Sequence, residues 1–209
     1  MITLVWRTDI HYADTSPSSR LDNWSDTILE KIRYVGKFAE EVSADAVIDG
    51  GDFFDRKSPS RTSHKSIIRI MESHRDYPCP VYSCVGNHDC VFGDYSFLDQ
   101  QPLEVLFRSK TFRRLYDEHE ATFVAEDSYD HHREDSFTVR VVGVPYHGTT
   151  YDLERFRAVK KGNEDYLVMV AHVLASAKGG SMFEGEDILS YDFLKTLDAD
   201  VMAFGHWHK

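Results

Sequence analysis

The sequence predicts an α/β fold in which strands and helices alternate along the chain and pack in layers. Apolar runs of strand length, rich in β-branched residues and bounded by Gly, Asp, Pro or Asn, occur at residues 2–6, 46–48, 81–85, 137–142, 166–170 and 201–204. Segments with helical periodicity lie between several of them, and this alternation is typical of layered α/β proteins. Because most of the runs are apolar throughout, we expect sheets that are covered on both faces.

The helical segments are predicted from the spacing of their apolar residues. Between residues 22 and 42 these side chains recur three or four positions apart, which places them in one stripe, and Asp22 or Asn23 can cap the helix. Residues 62–74 repeat the pattern, and residues 191–200 predict a short helix that leads into the last strand. The polar segment 126–135 is predicted as a hairpin or loop. Without an internal repeat or a linker, residues 1–209 are predicted to form one domain.

The composition is that of a globular protein, since 42% of the residues are hydrophobic and 28% are charged. The formal net charge of −11 argues against coating of nucleic acid by the whole surface. It leaves room for an enzyme that acts on nucleic acid, because bound divalent cations supply positive charge locally. The N-terminal segment does not resemble a signal peptide, and no apolar stretch is long enough to span a bilayer. We therefore expect a cytoplasmic protein that does not bind membranes.

Residues that can bind a metal recur directly after the predicted strands. They are Asp9 and His11 after the first, Asp52 after the second, Asn87, His88 and Asp89 after the third, His172 after the fifth, and His206 and His208 after the last. Side chains two positions apart in extended backbone share a face, which applies to both the Asp-x-His and the His-x-His pair. Loops at the carboxyl ends of parallel strands meet in one crevice. The residues are therefore predicted to converge.

Each motif also has a purely structural explanation. Asp9 and His11 fit a polar strand end, the Gly-Gly-Asp segment fits a turn, and His172 alone fits a buried core histidine. The combination of all the motifs, in this order, favours a metal centre. Imidazole, carboxylate and amide donors without a thiolate suit Mn, Fe or Zn ions. The candidates are too many for one tetrahedral zinc, so two divalent ions are predicted.

With these motifs the sequence resembles the calcineurin-like metallophosphoesterase superfamily. The shared pattern comprises Asp9-Ile10-His11, Gly51-Asp52, Gly86-Asn87-His88-Asp89, His172 and Gly205-His206-Trp207-His208. The resemblance implies a layered αββα sandwich with mixed, largely parallel sheets. The segments GGDFFDRKSPS, VVGVPY and FLKTLDADVMAFGHWHK are similar to SbcD-type DNA repair exonuclease subunits, and DTSPSSRLDNWSDTILEKI resembles related phage enzymes.

The resemblance also implies roles for individual residues. The first metal would be held by Asp9, His11, Asp52 and His208, and the second by Asp52, Asn87, His172 and His206, with Asp52 bridging the two. His88 would protonate the leaving oxygen, and Asp89 would orient its imidazole. The expected ions are two manganese ions, with iron or zinc as alternatives.

The function that follows is phosphodiester hydrolysis by a manganese-dependent DNA exonuclease or endonuclease of repair or phage DNA metabolism. A phosphatase or phosphodiesterase for a small molecule or a phosphoprotein would use the same site, and a scaffold without catalysis is a third hypothesis. DNA and an SMC-like ATPase are the expected partners. Arg108, Lys110, Arg113 and Arg114 fit either a contact with the DNA backbone or a solvated helix face. Since the family's core continues past the histidine pair, we expect the final strands to be missing from the printed sequence.

Overall fold

The computed structural model describes residues 1–55, 62–91, 94–126, 136–181 and 185–207. Within them, a first four-stranded sheet has the order β1-β2-β3-β4, and all neighbouring pairs in it are parallel. Its strands are β1 (Leu4–Arg7), β2 (Ala46–Asp49), β3 (Val81–Ser83) and β4 (Arg113–Arg114). The carboxyl ends of these strands therefore lie along the same edge of the sheet.

A second four-stranded sheet is mixed. It consists of β5 (Ala121–Glu126), β6 (Ser136–Val144), β7 (Tyr166–His172) and β11 (Val201–Gly205), in the order β11-β7-β6-β5. Only the β5–β6 pair is antiparallel, while β6, β7 and β11 run parallel to one another. A small sheet, ordered β8-β10-β9, is formed by β8 (Leu174–Ser176), β9 (Gly180–Ser181) and β10 (Asp187–Ser190).

The helices are α1 (Trp24–Glu41), α2 (His64–His74), α3 (Pro102–Arg108), α4 (Leu153–Ala158) and α5 (Tyr191–Leu194), with a 3-10 helix at Tyr95–Gln100. Asn23 caps α1 by accepting a hydrogen bond from the backbone N–H of Asp26 at 3.4 Å, as its position before the apolar stripe predicts. In the described part of the chain, no helix is long and apolar enough to cross a bilayer.

The two large sheets pack face to face, with helices on their outer faces. Along β2, Ile48 points into a cluster that also holds Val141 and Val170 of the second sheet, while Val47 points to the opposite cluster with Leu29 of α1. This alternation follows from the two-residue repeat of a strand. The predicted α/β sandwich with mixed, largely parallel sheets is confirmed. Strand β5 and the small sheet were not predicted, and of the predicted polar hairpin, residues 127–135 lie outside the described residues.

The two large sheets come close together where Gly143 of β6 meets the segment after β4. A Cβ atom on Gly143 would lie 1.5 Å from the carbonyl oxygen of Leu115, so only glycine fits there. Because the obstacle is backbone rather than a flexible side chain, relief requires one sheet to shift.

We therefore expect Gly143→Ala to lower the free energy of unfolding by about 1–3 kcal/mol, as overpacking does. Urea denaturation followed by circular dichroism measures this change. The control is Gly162→Ala, whose Cβ would meet the movable end of the Glu164 side chain at 2.9 Å. Equal stability of the two variants would contradict the proposed sheet contact.

Candidate metal centre

The candidate site lies where loops from the two large sheets meet. The loops after β1, β2 and β3 contribute Asp9, His11, Asp52, Asn87 and His88, and the ends of β7 and β11 contribute His172 and His206. These predicted residues come together as the strand order requires. His208 lies outside the described residues.

Several site residues have backbone conformations that are rare outside glycine. The φ angles are +54° at Asp9, +48° at His11, +53° at Asp52 and +99° at His206. Hydrogen bonds hold two of the loops together, from Asp9 N–H to the Gly51 carbonyl and from His11 N–H to the Asp52 carbonyl, each at 3.0 Å. Such strained positions cluster at functional sites, where the surrounding structure maintains them.

Two glycines allow the loops to approach one another. A Cβ on Gly86 would lie 2.2 Å from Asp52 Oδ1, and a Cβ on Gly205 would lie 2.7 Å from His172 Nδ1. Larger residues at these positions would displace the adjacent candidate ligands. The glycines of the GNHD and GHWH motifs are therefore explained by the space they leave for the ligands.

One group of candidate ligands consists of His11, Asp52 and His88. One ligand atom from each lies within 4.8 Å of the other two. His11 Nε2 is 3.7 Å from Asp52 Oδ2 and 3.8 Å from Asp9 Oδ1, which places Asp9 next to the same group.

A second group consists of Asp52, His172 and His206, again within 4.8 Å. His172 Nε2 lies 3.1 Å from Asp52 Oδ2 and 3.1 Å from Asn87 Oδ1. Asp52 belongs to both groups, which is the position that a bridging ligand needs. Its other oxygen, Oδ1, accepts a hydrogen bond from the His88 backbone N–H at 2.7 Å.

The structure corrects the predicted role of Asp89. Its carboxylate does not orient the His88 imidazole but accepts three backbone hydrogen bonds, from Asp52 at 2.8 Å, Phe54 at 3.1 Å and Gly86 at 3.0 Å. The side chain is buried beneath the loops after β2 and β3, where these N–H groups need an acceptor. Asp89 therefore ties the two loops together.

The imidazole of His88 is instead oriented by Asp55. His88 Nδ1 donates to the Asp55 carbonyl at 2.5 Å, and Asp55 Oδ1 lies 3.7 Å from His11 Nδ1. The sequence analysis missed this residue, although the second aspartate of GGDFFD was a signal that could have identified it. It also missed Glu186, whose Oε1 lies 3.0 Å from His206 Nε2.

Comparison with known proteins identifies the family. The family model described as calcineurin-like phosphoesterase matches residues 3–209. The chain belongs to this family. Phosphoesterases of this family depend on metal ions, and the two groups around Asp52 are the candidate ligands in this member.

Two solved structures have a similar fold. The phosphoesterase chain is 14% identical to the protein TT1561 of Thermus thermophilus, with a TM-score of 0.56, over 99% of this chain and 82% of that one. It is also 14% identical to the calcineurin-like phosphoesterase YfkN from Bacillus subtilis, with a TM-score of 0.58, over 98% of this chain and 71% of that one. No curated protein sequence matches.

The electrostatics of the phosphoesterase site fit divalent cations. Burial acts to raise the pKa of the Asp9 carboxyl, but interactions with His11, Thr8 and the His206 N–H outweigh it and hold the pKa well below the usual value. The pKa of Asp52 is likewise lowered, because its interactions with His172 outweigh burial. Both carboxylates therefore stay ionised although Asp52 is buried and Asp9 half-buried, which requires positive charge nearby.

Protons on histidines supply part of that charge. Burial acts to lower the pKa of His172, but the adjacent Asp52 carboxylate outweighs it and raises the pKa to about 9. The pKa of His11 is also raised, since Asp9 and Asp52 outweigh its burial. Ionised carboxylates, imidazoles and the Asn87 amide form a donor set without thiolate, and this set fits Mn, Fe or Zn.

We expect the affinity for manganese to fall as the pH falls. A histidine must lose its proton to bind a metal, and below about pH 9 the His172 proton must be displaced. Displacing the His172 proton alone lowers the affinity by about tenfold for each unit by which the pH falls. This proton therefore accounts for a fall of roughly 100-fold between pH 8.5 and 6.5. Calorimetric titration in buffers of different ionisation enthalpy measures both the affinity and the number of protons released. A pH-independent affinity without proton release would refute the assignment of His172 as a ligand.

Proposed function

We propose that this phosphoesterase hydrolyses phosphodiester bonds of DNA with two manganese ions, as an exonuclease or endonuclease of repair or phage DNA metabolism. The observation that supports the proposal is the pair of candidate ligand groups that share Asp52, one of which includes His88. Bound divalent ions lower the pKa of water and neutralise charge on phosphate oxygens, which is the chemistry that phosphodiester hydrolysis needs.

The protein residues divide the remaining tasks. One ion would be held by Asp9, His11 and Asp52 and, as the resemblance implies, by His208. The other would be held by Asp52, Asn87, His172 and His206. The buried Asp89 carboxylate fixes the loops that carry Asp52 and Asn87. We assign these roles by combining the resemblance with the distances between the described side chains.

His88 is assigned to the leaving group. The Asp55 carbonyl can only accept a hydrogen bond, so Nδ1 of His88 carries a proton in both the neutral and the charged ring. Nε2 is therefore the atom that gains and loses a proton. In the charged form, His88 can donate that proton to the oxygen that leaves phosphorus, as a general acid. Its ring lies 4.8 Å, centroid to centroid, from the ring of His11, which belongs to the same group of candidate ligands.

A groove beside α3 and β4 supports DNA as the substrate. It has a volume of about 880 Å³, and its lining includes Arg108, Lys110, Arg113 and Arg114. The carboxylates Glu104, Glu118 and Glu120 also line it. Cations outnumber carboxylates in this groove, on a chain whose net charge is −11.

The cationic side chains that line the groove have different partners. The Glu104 carboxylate forms ion pairs with both Arg108 and Arg114, and these pairs neutralise its negative charge. Arg113 instead lies over the Tyr82 ring, 5.5 Å from its centroid, and donates to its hydroxyl at 3.0 Å. A cation held by an aromatic ring keeps its charge available to a phosphate. The groove thus supports binding of the DNA backbone. An SMC-like ATPase partner is proposed from the resemblance alone.

Binding to the groove is tested by reversing two of its charges. The double variant Lys110→Glu/Arg113→Glu is expected to weaken DNA binding at low salt and to reduce the slope of log K against log salt by about 2. The matched control, Lys31→Glu/Lys37→Glu on the exposed face of α1, makes the same change in net charge. Fluorescence anisotropy with labelled single- and double-stranded DNA measures both. Equal weakening by the two double variants would attribute the effect to net charge and refute the groove.

Catalysis is tested with His88→Ala. If His88 protonates the leaving oxygen, the variant should bind both manganese ions and lose about 10²–10⁴-fold in the rate of DNA cleavage. The loss should be much smaller for bis-(p-nitrophenyl) phosphate, because its leaving group needs no proton. The measurements are manganese content, DNA affinity and cleavage rates on both substrates.

Two results would change the proposal. Loss of a manganese ion in His88→Ala would make His88 a ligand, in line with its distance from His11 and Asp52. Wild-type protein that cleaves the aryl diester but neither form of DNA would overturn the nuclease and favour a phosphatase or phosphodiesterase for other substrates.

A further inference from the structure

Glu186 lies immediately before β10, and its side chain reaches the candidate metal centre. Its Oε1 is 3.0 Å from His206 Nε2, and the side chain is only 14% exposed. His206 belongs to the group of candidate ligands formed with Asp52 and His172. Neither the sequence motifs nor the role assignments made above give Glu186 a function.

The position of Glu186 is fixed by hydrogen bonds from a second direction. The Tyr151 hydroxyl donates to Glu186 Oε1 at 2.8 Å and accepts from the Leu174 N–H at 3.1 Å. The next residue, Asp187, accepts from the Tyr151 N–H at 2.9 Å. Leu174 lies two positions after His172. The series of hydrogen bonds Leu174–Tyr151–Glu186–His206 therefore connects the ends of β7 and β11, the strands that supply the two histidines.

The contact with Glu186 favours one tautomer of the His206 imidazole. An ionised carboxylate only accepts hydrogen bonds, so the contact with Glu186 requires a proton on His206 Nε2. In the neutral ring, Nδ1 is then the nitrogen whose lone pair is available to a cation. Carboxylates that hold a ligand histidine in this way fix its tautomer and its orientation.

We propose that Glu186 is a positioning residue for His206. It raises the affinity with which the site formed by Asp52, His172 and His206 binds its metal ion. The proposal rests on the two-metal assignment made above. Tyr151 supports it by holding the Glu186 oxygen in place. The small sheet β8-β10-β9, which carries Glu186, thereby becomes part of the metal centre.

The first test is a calorimetric titration with manganese alone. Glu186→Ala is expected to lower the affinity for one of the two ions by about 10–100-fold, the range typical for loss of a residue that hydrogen-bonds a metal ligand. The affinity for the other ion should stay within twofold of the wild-type value. Glu186→Gln should recover most of the affinity, because its amide oxygen can accept from both Nε2 and Tyr151. Glu154→Ala is the control, since Glu154 has an exposed side chain on α4. Wild-type affinity for both ions in Glu186→Ala would overturn the proposal.

The second test needs no metal. Nitrogen-15 NMR of the metal-free protein, at a pH where His206 is neutral, reports which ring nitrogen carries the proton. We expect the proton on Nε2 in the wild type and a mixture of tautomers in Glu186→Ala. A proton on Nδ1 in the wild type would overturn the proposal even if the affinities change.

These experiments separate this inference from the proposed function. A wild-type protein that binds a single manganese ion would refute the two-metal assignment, while the tautomer measurement would still decide the role of Glu186. If Glu186→Ala melts at a much lower temperature than the control, Tyr151→Phe replaces it, because that change removes only the hydroxyl. Tyr151→Phe should lower the affinity for the same ion by a smaller factor. Unchanged manganese binding in Tyr151→Phe would count against the proposal.

Discussion

The candidate metal centre depends on a buried ion pair between the last residues of two neighbouring strands. Arg7 ends β1 and Asp49 ends β2, and Arg7 Nε donates to Asp49 Oδ2 at 2.6 Å with both side chains buried. The loops that carry the candidate ligands Asp9, His11 and Asp52 begin directly after these residues. Asp49 Oδ1 also accepts from the Gly51 N–H at 3.1 Å, which fixes the start of the loop that carries Asp52. Removing one partner of such a pair typically costs about 3–5 kcal/mol.

The surroundings of Arg7 explain how a charge is tolerated there. Its Nη1 donates to His74 Nε2 at 2.9 Å, while His74 Nδ1 donates to the Ile70 carbonyl at 2.8 Å. Burial and the charge of Arg7 hold the pKa of His74 well below its usual value, so this ring stays neutral and can accept. The guanidinium also lies 5.1 Å from the centroid of the Phe112 ring. Helix α2 and the segment before β4 are thus attached to the base of the site, and this rigid base can maintain the positive φ angles of the loops above it.

The strands, the main helices and the convergence of the ligands could be predicted from the sequence because each has a local cause. Apolar runs and stripes determine the layers, and parallel strands bring the residues that follow them to one edge. Asp89 was assigned wrongly because sequence proximity to His88 suggested a contact. In the folded chain the two neighbouring side chains diverge, since Asp89 turns down to three backbone N–H groups.

Glu186 could not be predicted for a different reason. It lies among short strands without periodicity, and its distance from His206 depends on where the fold places the segment before β10 relative to the end of β11. The same holds for the groove at β4, a strand of two residues whose pairing depends on β3 rather than on its own sequence. Long-range contacts of this kind leave no pattern in a single sequence.

Because the candidate site is divided between two sheets, a bound metal ion would have a structural role as well as a chemical one. Asp52 follows β2 of the first sheet and His172 ends β7 of the second, and a hydrogen bond between them carries the histidine proton. A divalent ion held by these candidate ligands would bind groups from both sheets at once. An ion that binds the folded but not the unfolded chain adds its binding free energy to stability. The close packing at Gly143 and the candidate ligand Asp52 thus both lie between the two sheets, and the geometry of the candidate metal centre depends on how closely the sheets are held together.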